Sequence, residues 1–117
     1  MLNRPRILLI SHLPELHYDS LLINGGFDVT NAESLNEGLA FWRPFHFKLV
    51  LIVVEDDLPQ ALAFCDELKK IEPGQCVAFV TGWHTFVPPS SCPDDVIQRD
   101  YNPSLFVKKV SELAQAQ

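Results

Sequence analysis

The run Leu49-Val50-Leu51-Ile52-Val53-Val54 constrains this chain more than any other stretch. It is unbroken apolar and rich in β-branched residues, so neither face of a strand made from it is left for water. Only a central strand of a parallel sheet is covered on both faces. At six residues the run is also far too short to cross a bilayer, which takes about 20. Strand-like and helix-like stretches alternate on either side of it. That alternation predicts an α/β fold: a doubly wound parallel sheet with helices on both faces and right-handed crossovers.

The first strand is expected over Arg6 to Ile10, ending at Ser11-His12. A helix should begin near Leu13-Pro14 and place Tyr18, Leu21, Leu22 and Gly25 on one face, until Gly25-Gly26 stops it. Phe27 to Thr30 alternates as a short strand. Ser34-Leu35-Asn36-Glu37 is a capping box; Leu35, Leu39 and Trp42 form the buried stripe behind it, and Pro44 ends the helix. Asp57 and Pro59 open a third helix, with Ala61, Phe64, Cys65, Leu68 and Ile71 on its inner face and Pro73-Gly74 at its close. Cys76 to Val80 and Val96 to Gln98 are the remaining strands. Asn102 and Pro103 start a last helix that buries Phe106, Val110 and Leu113.

Composition narrows the function classes. A chain of 117 residues suits one domain, and 47% hydrophobic content suits a folded core. The formal net charge of −6 disfavours direct nucleic-acid binding, which relies on Lys and Arg at phosphates. No basic-then-apolar leader precedes the first strand, so a cytoplasmic protein with no membrane contact is expected. Cys65, Cys76 and Cys92 are an odd number without a C-x-x-C pair. In a reducing compartment they read as buried or incidental thiols rather than a disulfide or metal site.

Gly82 to Pro93 breaks the alternation, with Pro88, Pro89, Pro93, Ser90-Ser91 and the apolar Trp83, Phe86 and Val87. A helix there would be broken by proline, so the segment reads as mostly loop. Gly26-Phe27-Asp28-Val29-Thr30-Asn31-Ala32, Glu37-Gly38-Leu39, Lys48 to Val53, and Asp94 to Pro103 stand in an order and spacing that resemble the response regulator receiver family, the chemotaxis (CheY-like) type. The resemblance runs from Arg6 to Leu113. It implies a flavodoxin-like five-stranded parallel sheet of order 2-1-3-4-5, in which the family's fourth helix is shortened or replaced by the proline-rich loop. It also implies a bacterial two-component or phosphorelay role.

Residue by residue, that resemblance implies a degenerate pocket. The family's acidic pair after strand one falls at Ser11 and His12, its acceptor aspartate at Val53, and its aromatic switch at Val96. Thr81 matches the hydroxyl that senses the phosphoryl group. Arg99 follows strand five near the family's lysine, with Asp100 in place of the usual proline. Phosphoryl transfer needs a nucleophilic oxygen and a cation to neutralise spreading charge. Ser11 and His12 are poor magnesium ligands, and valine has no nucleophile.

Other readings use the same strand ends. Glu55, Asp56 and Asp57 could replace the acceptor or bind metal, or simply form a solvated loop before the third helix. His12, His84 and Glu55 could gather as a zinc-like cluster, though their spacing matches no metal motif. A flavin-type phosphate cradle is unsupported, because Ser11 to Glu15 carries no glycine. Arg99 could reach into the vacated pocket and pair with Glu55 or Asp56, or remain a loose surface cation. Trp83, Phe86 and Val87 either cover the core or form, with Val96 and Tyr101, a partner surface. The expectation is a non-enzymatic interaction module with no catalytic residue, cofactor or metal, engaging a protein partner or a second copy of itself. The alternatives are a small-ligand or metal-binding domain, or a working receiver whose acceptor has moved to Asp56 or Asp57.

Overall fold

A computed structural model describes residues 4–11, 18–43, 47–82, 87, 92–99 and 102–115. The chain runs β1 (Arg6–Ile10), α1 (Tyr18–Asn24), β2 (Asp28–Ala32), α2 (Leu35–Trp42), β3 (Leu49–Val53), α3 (Leu58–Ile71), β4 (Val77–Thr81), β5 (Asp95–Gln98) and α4 (Pro103–Gln115). All strand pairs are parallel and the order is β2-β1-β3-β4-β5, so the apolar run lies at the centre as its composition requires. Ile10 pairs with Ile52, Val53 with Val80, and Thr81 with Gln98, which brings the carboxyl ends of four strands to one edge.

Alternate residues of the strands feed two cores. Leu8, Ile10, Val50, Ile52 and Phe79 pack with Trp42 of α2 and with Phe64 and Leu68 of α3. Ile7, Leu9, Leu51, Val53 and Ile97 pack with Leu22 of α1 and with Phe106 and Val110 of α4. On the second face the rings of Tyr18 and Phe106 stand 4.9 Å apart. A Cβ on Gly25 would lie 2.7 Å from Val107 Cγ1, so glycine permits α1 and α4 to approach. Gly38 plays the same part on the first face, where a Cβ would meet Ile10 Cδ1 at 2.5 Å.

The capping box forms. Ser34 Oγ accepts from Glu37 N at 3.1 Å, while the Glu37 carboxylate reaches Glu33 N, one residue earlier than the usual partner. Asn102 Oδ1 caps α4 by accepting from Ser104 N at 2.8 Å. Asp57 departs from expectation: its side chain caps no helical N–H, and instead accepts from Glu55 N at 3.0 Å, closing a tight turn after β3. Ile71 also departs: it is 53% exposed, while Leu68 one turn earlier is fully buried. Leu113 is only half-buried, and Ala114 takes the inner position.

The cysteine expectation is overturned. Cys65 on the inner face of α3 and Cys92 just before β5 form a disulfide, with Cα atoms 6.1 Å apart. The two are 27 residues apart in sequence, and no spacing rule joins them. Tertiary packing does, by bringing α3 and the segment before β5 into the same core. In the chain-entropy picture, closing a loop of that size stabilises the fold by about 3.5 kcal/mol. Cys76 is buried and takes no part in the bond.

Candidate functional site

The site is the edge where β1, β3, β4 and β5 end. Its floor is apolar: Val53 is 2% exposed and its side chain belongs to the core shared with α1 and α4. Val54 follows with its N–H donated to Val80 O at 2.9 Å, which holds the tips of β3 and β4 together. Thr81, the last residue of β4, is buried. Ser11 closes the β1 side, half-buried, with its N–H on Ala32 O.

Arg99 spans this edge. Its backbone N–H donates to Thr81 O at 2.9 Å, extending the β4–β5 ladder by one bond. That anchor sends the side chain across Gly82, where an added Cβ would lie 3.9 Å from Arg99 Nη2. Nη2 then donates to Val54 O at 3.3 Å and pairs with Glu55 Oε1. Of the two partners open in the sequence, Arg99 takes Glu55. Asp56 is exposed, and Asp57 is turned toward the backbone of Glu55. Both side chains of the ion pair keep about a quarter of their surface exposed, so water and salt weaken the attraction. Arg99 Nε is shielded and finds no acceptor among the described residues.

Several site residues named from the sequence lie outside the described residues: His12, His84, Trp83, Phe86 and Tyr101. Val87 is described. It is half-buried and packs on the core between the sheet and α2 and α3, covering that core. Val96 is half-buried on the edge strand. Among the described residues, no group of three or more His, Cys, Asp or Glu is placed to hold a metal ion. None of their helices is long and apolar enough to cross a membrane. Sequence reasoning missed Asp94, whose carboxylate accepts from Val77 N at 2.8 Å and from Lys69 Nζ at 2.7 Å. Its only local signal was an acid just before an edge strand.

The strand order, the two helical layers and the position of this edge define the CheY-like receiver fold. Solved structures bear that out, with 172 similar chains. A response regulator receiver domain protein from Methanospirillum hungatei superposes with a TM-score of 0.81 at 22% identity, covering 97% of this chain and 96% of that one. NtrX from Brucella abortus gives 0.83 at 17% identity, and there the matched part is 27% of a longer chain. An orphan response regulator of H. pylori gives 0.75 at 21% identity over 97% of this chain and all of that one. No family model and no curated protein matches the sequence.

Proposed function

We propose that residues 1–117 form a single receiver-like domain of a bacterial, cytoplasmic signalling system, one that works by protein–protein contact and carries out no phosphoryl chemistry. The observation that carries this reading is the tip of β3. Where the receiver resemblance puts an acceptor carboxylate stands Val53, sealed in the core at 2% exposure. The cation at this edge, Arg99, is already engaged with Glu55 and the Val54 carbonyl. A phosphoryl group entering here would meet no nucleophilic oxygen on β3 and no free positive charge at Arg99. The same ion pair ties the end of β5 to the end of β3, the connection that a bound phosphoryl group would otherwise supply. The domain therefore rests in one state.

The interacting surface in this reading is the connection from Trp83 to Pro93 together with Val96, Tyr101 and the outer face of α4, where Leu105 is 53% exposed. Its partner is another protein or a second copy of this chain. Incubating the protein with acetyl phosphate and Mg²⁺ tests the reading. Intact mass should show no added phosphoryl group, and the melting temperature should not move. A phospho-aspartate at Asp56 or Asp57 would replace it with a receiver whose acceptor has shifted. A large stabilisation by Zn²⁺ alone would instead favour a metal-binding domain.

A further inference from the structure

The covalent link between Cys65 and Cys92 has a second rung beside it. Lys69 follows Cys65 by one helical turn, and Asp94 follows Cys92 by two residues in the segment that leads into β5. Lys69 Nζ and Asp94 Oδ2 meet at 2.7 Å. Both rungs join the same two pieces, α3 and the segment that leads into β5. They differ in what dissolves them: the ionic rung is partly exposed and yields to salt, whereas the sulfur rung is buried, with Cys65 at 0% and Cys92 at 2% exposure, and yields only to electrons. Asp94 also exchanges two 2.8 Å hydrogen bonds with the backbone of Val77, so the segment is sewn to the start of β4 as well. β5 is an edge strand, paired on one side alone, and the segment before it sets where that strand begins.

We propose that Cys65 and Cys92 are a reversible thiol–disulfide pair whose redox state sets how firmly the segment 92–98 is held against α3 and β4. The proposal does not depend on the signalling role argued above. Its co-reactant is a low-molecular-weight disulfide of the glutathione type. One cysteine thiolate attacks that disulfide, forming a mixed disulfide and releasing one small thiol. The second cysteine then attacks the protein sulfur of the mixed disulfide, closing the Cys65–Cys92 bond and expelling the second small thiol. Two protein thiols are oxidised by two electrons, one small disulfide is reduced, and the two protons leave on the small thiols. Because both sulfurs are buried, exchange passes through local opening. Cys92 sits on a connecting segment and Cys65 in the middle of a helix, so Cys92 is the first to react.

The test uses the full chain equilibrated in glutathione buffers of graded oxidation, with intact mass and amide hydrogen exchange as readouts. The oxidised chain should lose two hydrogens in mass and recover them on reduction while still folded. Amides of residues 92 and 94–98 should exchange at least about tenfold faster in the reduced form, with the α1 and β2 amides unchanged. Cys65→Ser should trap a glutathione adduct on Cys92, and Cys92→Ser should leave Cys65 unmodified over the same time. Cys76→Ser, altering a buried thiol in the other core, should change none of this. The proposal is overturned if both thiols stay free in the most oxidising buffer. It is equally overturned if the bond resists reduction until the whole chain unfolds, or if exchange at 92–98 is the same in both redox states.

Discussion

Two polar clusters, one at each end of the sheet, are built in different ways. At the amino end of β4, Gln75 is buried at 6% exposure and fully engaged. Its Nε2 donates to Phe47 O at 3.1 Å and Cys76 O at 3.0 Å, and its Oε1 accepts from Trp42 Nε1 at 2.8 Å. At the carboxyl end, Glu55 and Arg99 are charged, a quarter exposed, and include a shielded Nε with no acceptor among the described residues. Around Gln75 the bonds are neutral, directional and buried, so leaving any one unmade is costly, while the partly exposed Lys69–Asp94 pair lies farther out at the same end. The open end uses opposite charges that water continues to screen. The first arrangement is shielded from solvent, and the second stays open to water and salt.

Substitutions at the two ends should separate these arrangements. Val53→Asp has the largest expected effect, a loss of about 4 kcal/mol, because it buries a carboxylate among the apolar side chains of α1 and α4. Glu55 already holds Arg99, so no ready cation compensates, and Mg²⁺ with a phosphate mimic should restore neither stability nor phosphorylation. Rescue by Mg²⁺ would mean that the open end retains a metal site. Gln75→Ala comes next, at about 3 kcal/mol by urea denaturation, since it strands the Trp42 indole N–H and the carbonyls of Phe47 and Cys76 together. That loss should be the same at low and high salt. Arg99→Met is the mildest, about 0.5–1 kcal/mol, and should shrink toward zero in 1 M salt (roughly a 3 Å screening length). An Arg99 effect as large and as salt-independent as that of Gln75 would erase the distinction between the two ends.

Much of the frame was legible because it is written in local pattern. The six apolar residues from Leu49 demanded a doubly covered strand, Ser34 and Glu37 announced a helix start, and Asn102-Pro103 announced another. The site was only half legible. Sequence placed Val53, Thr81 and Arg99 at strand ends, but it left two acids open for Arg99, and it read Asp57 as a cap when that carboxylate turns back to Glu55 N. Periodicity put Ile71 on the inner face of α3, but it is 53% exposed.

What the sequence determined by itself is the order of elements, the caps at Ser34 and Asn102, and the apolar character of the strand ends. These depend on neighbours within a few residues, whose spacing a linear reading sees. The tertiary structure alone decided the Cys65–Cys92 bond across 27 residues, the Arg99–Glu55 pair between two strand ends, and the engagement of Gln75 by Trp42 across 33 residues. Each of these is a meeting of side chains far apart in the chain. Which partner each one finds depends on strand order and on how the helices pack on the sheet, and neither is encoded in any one segment.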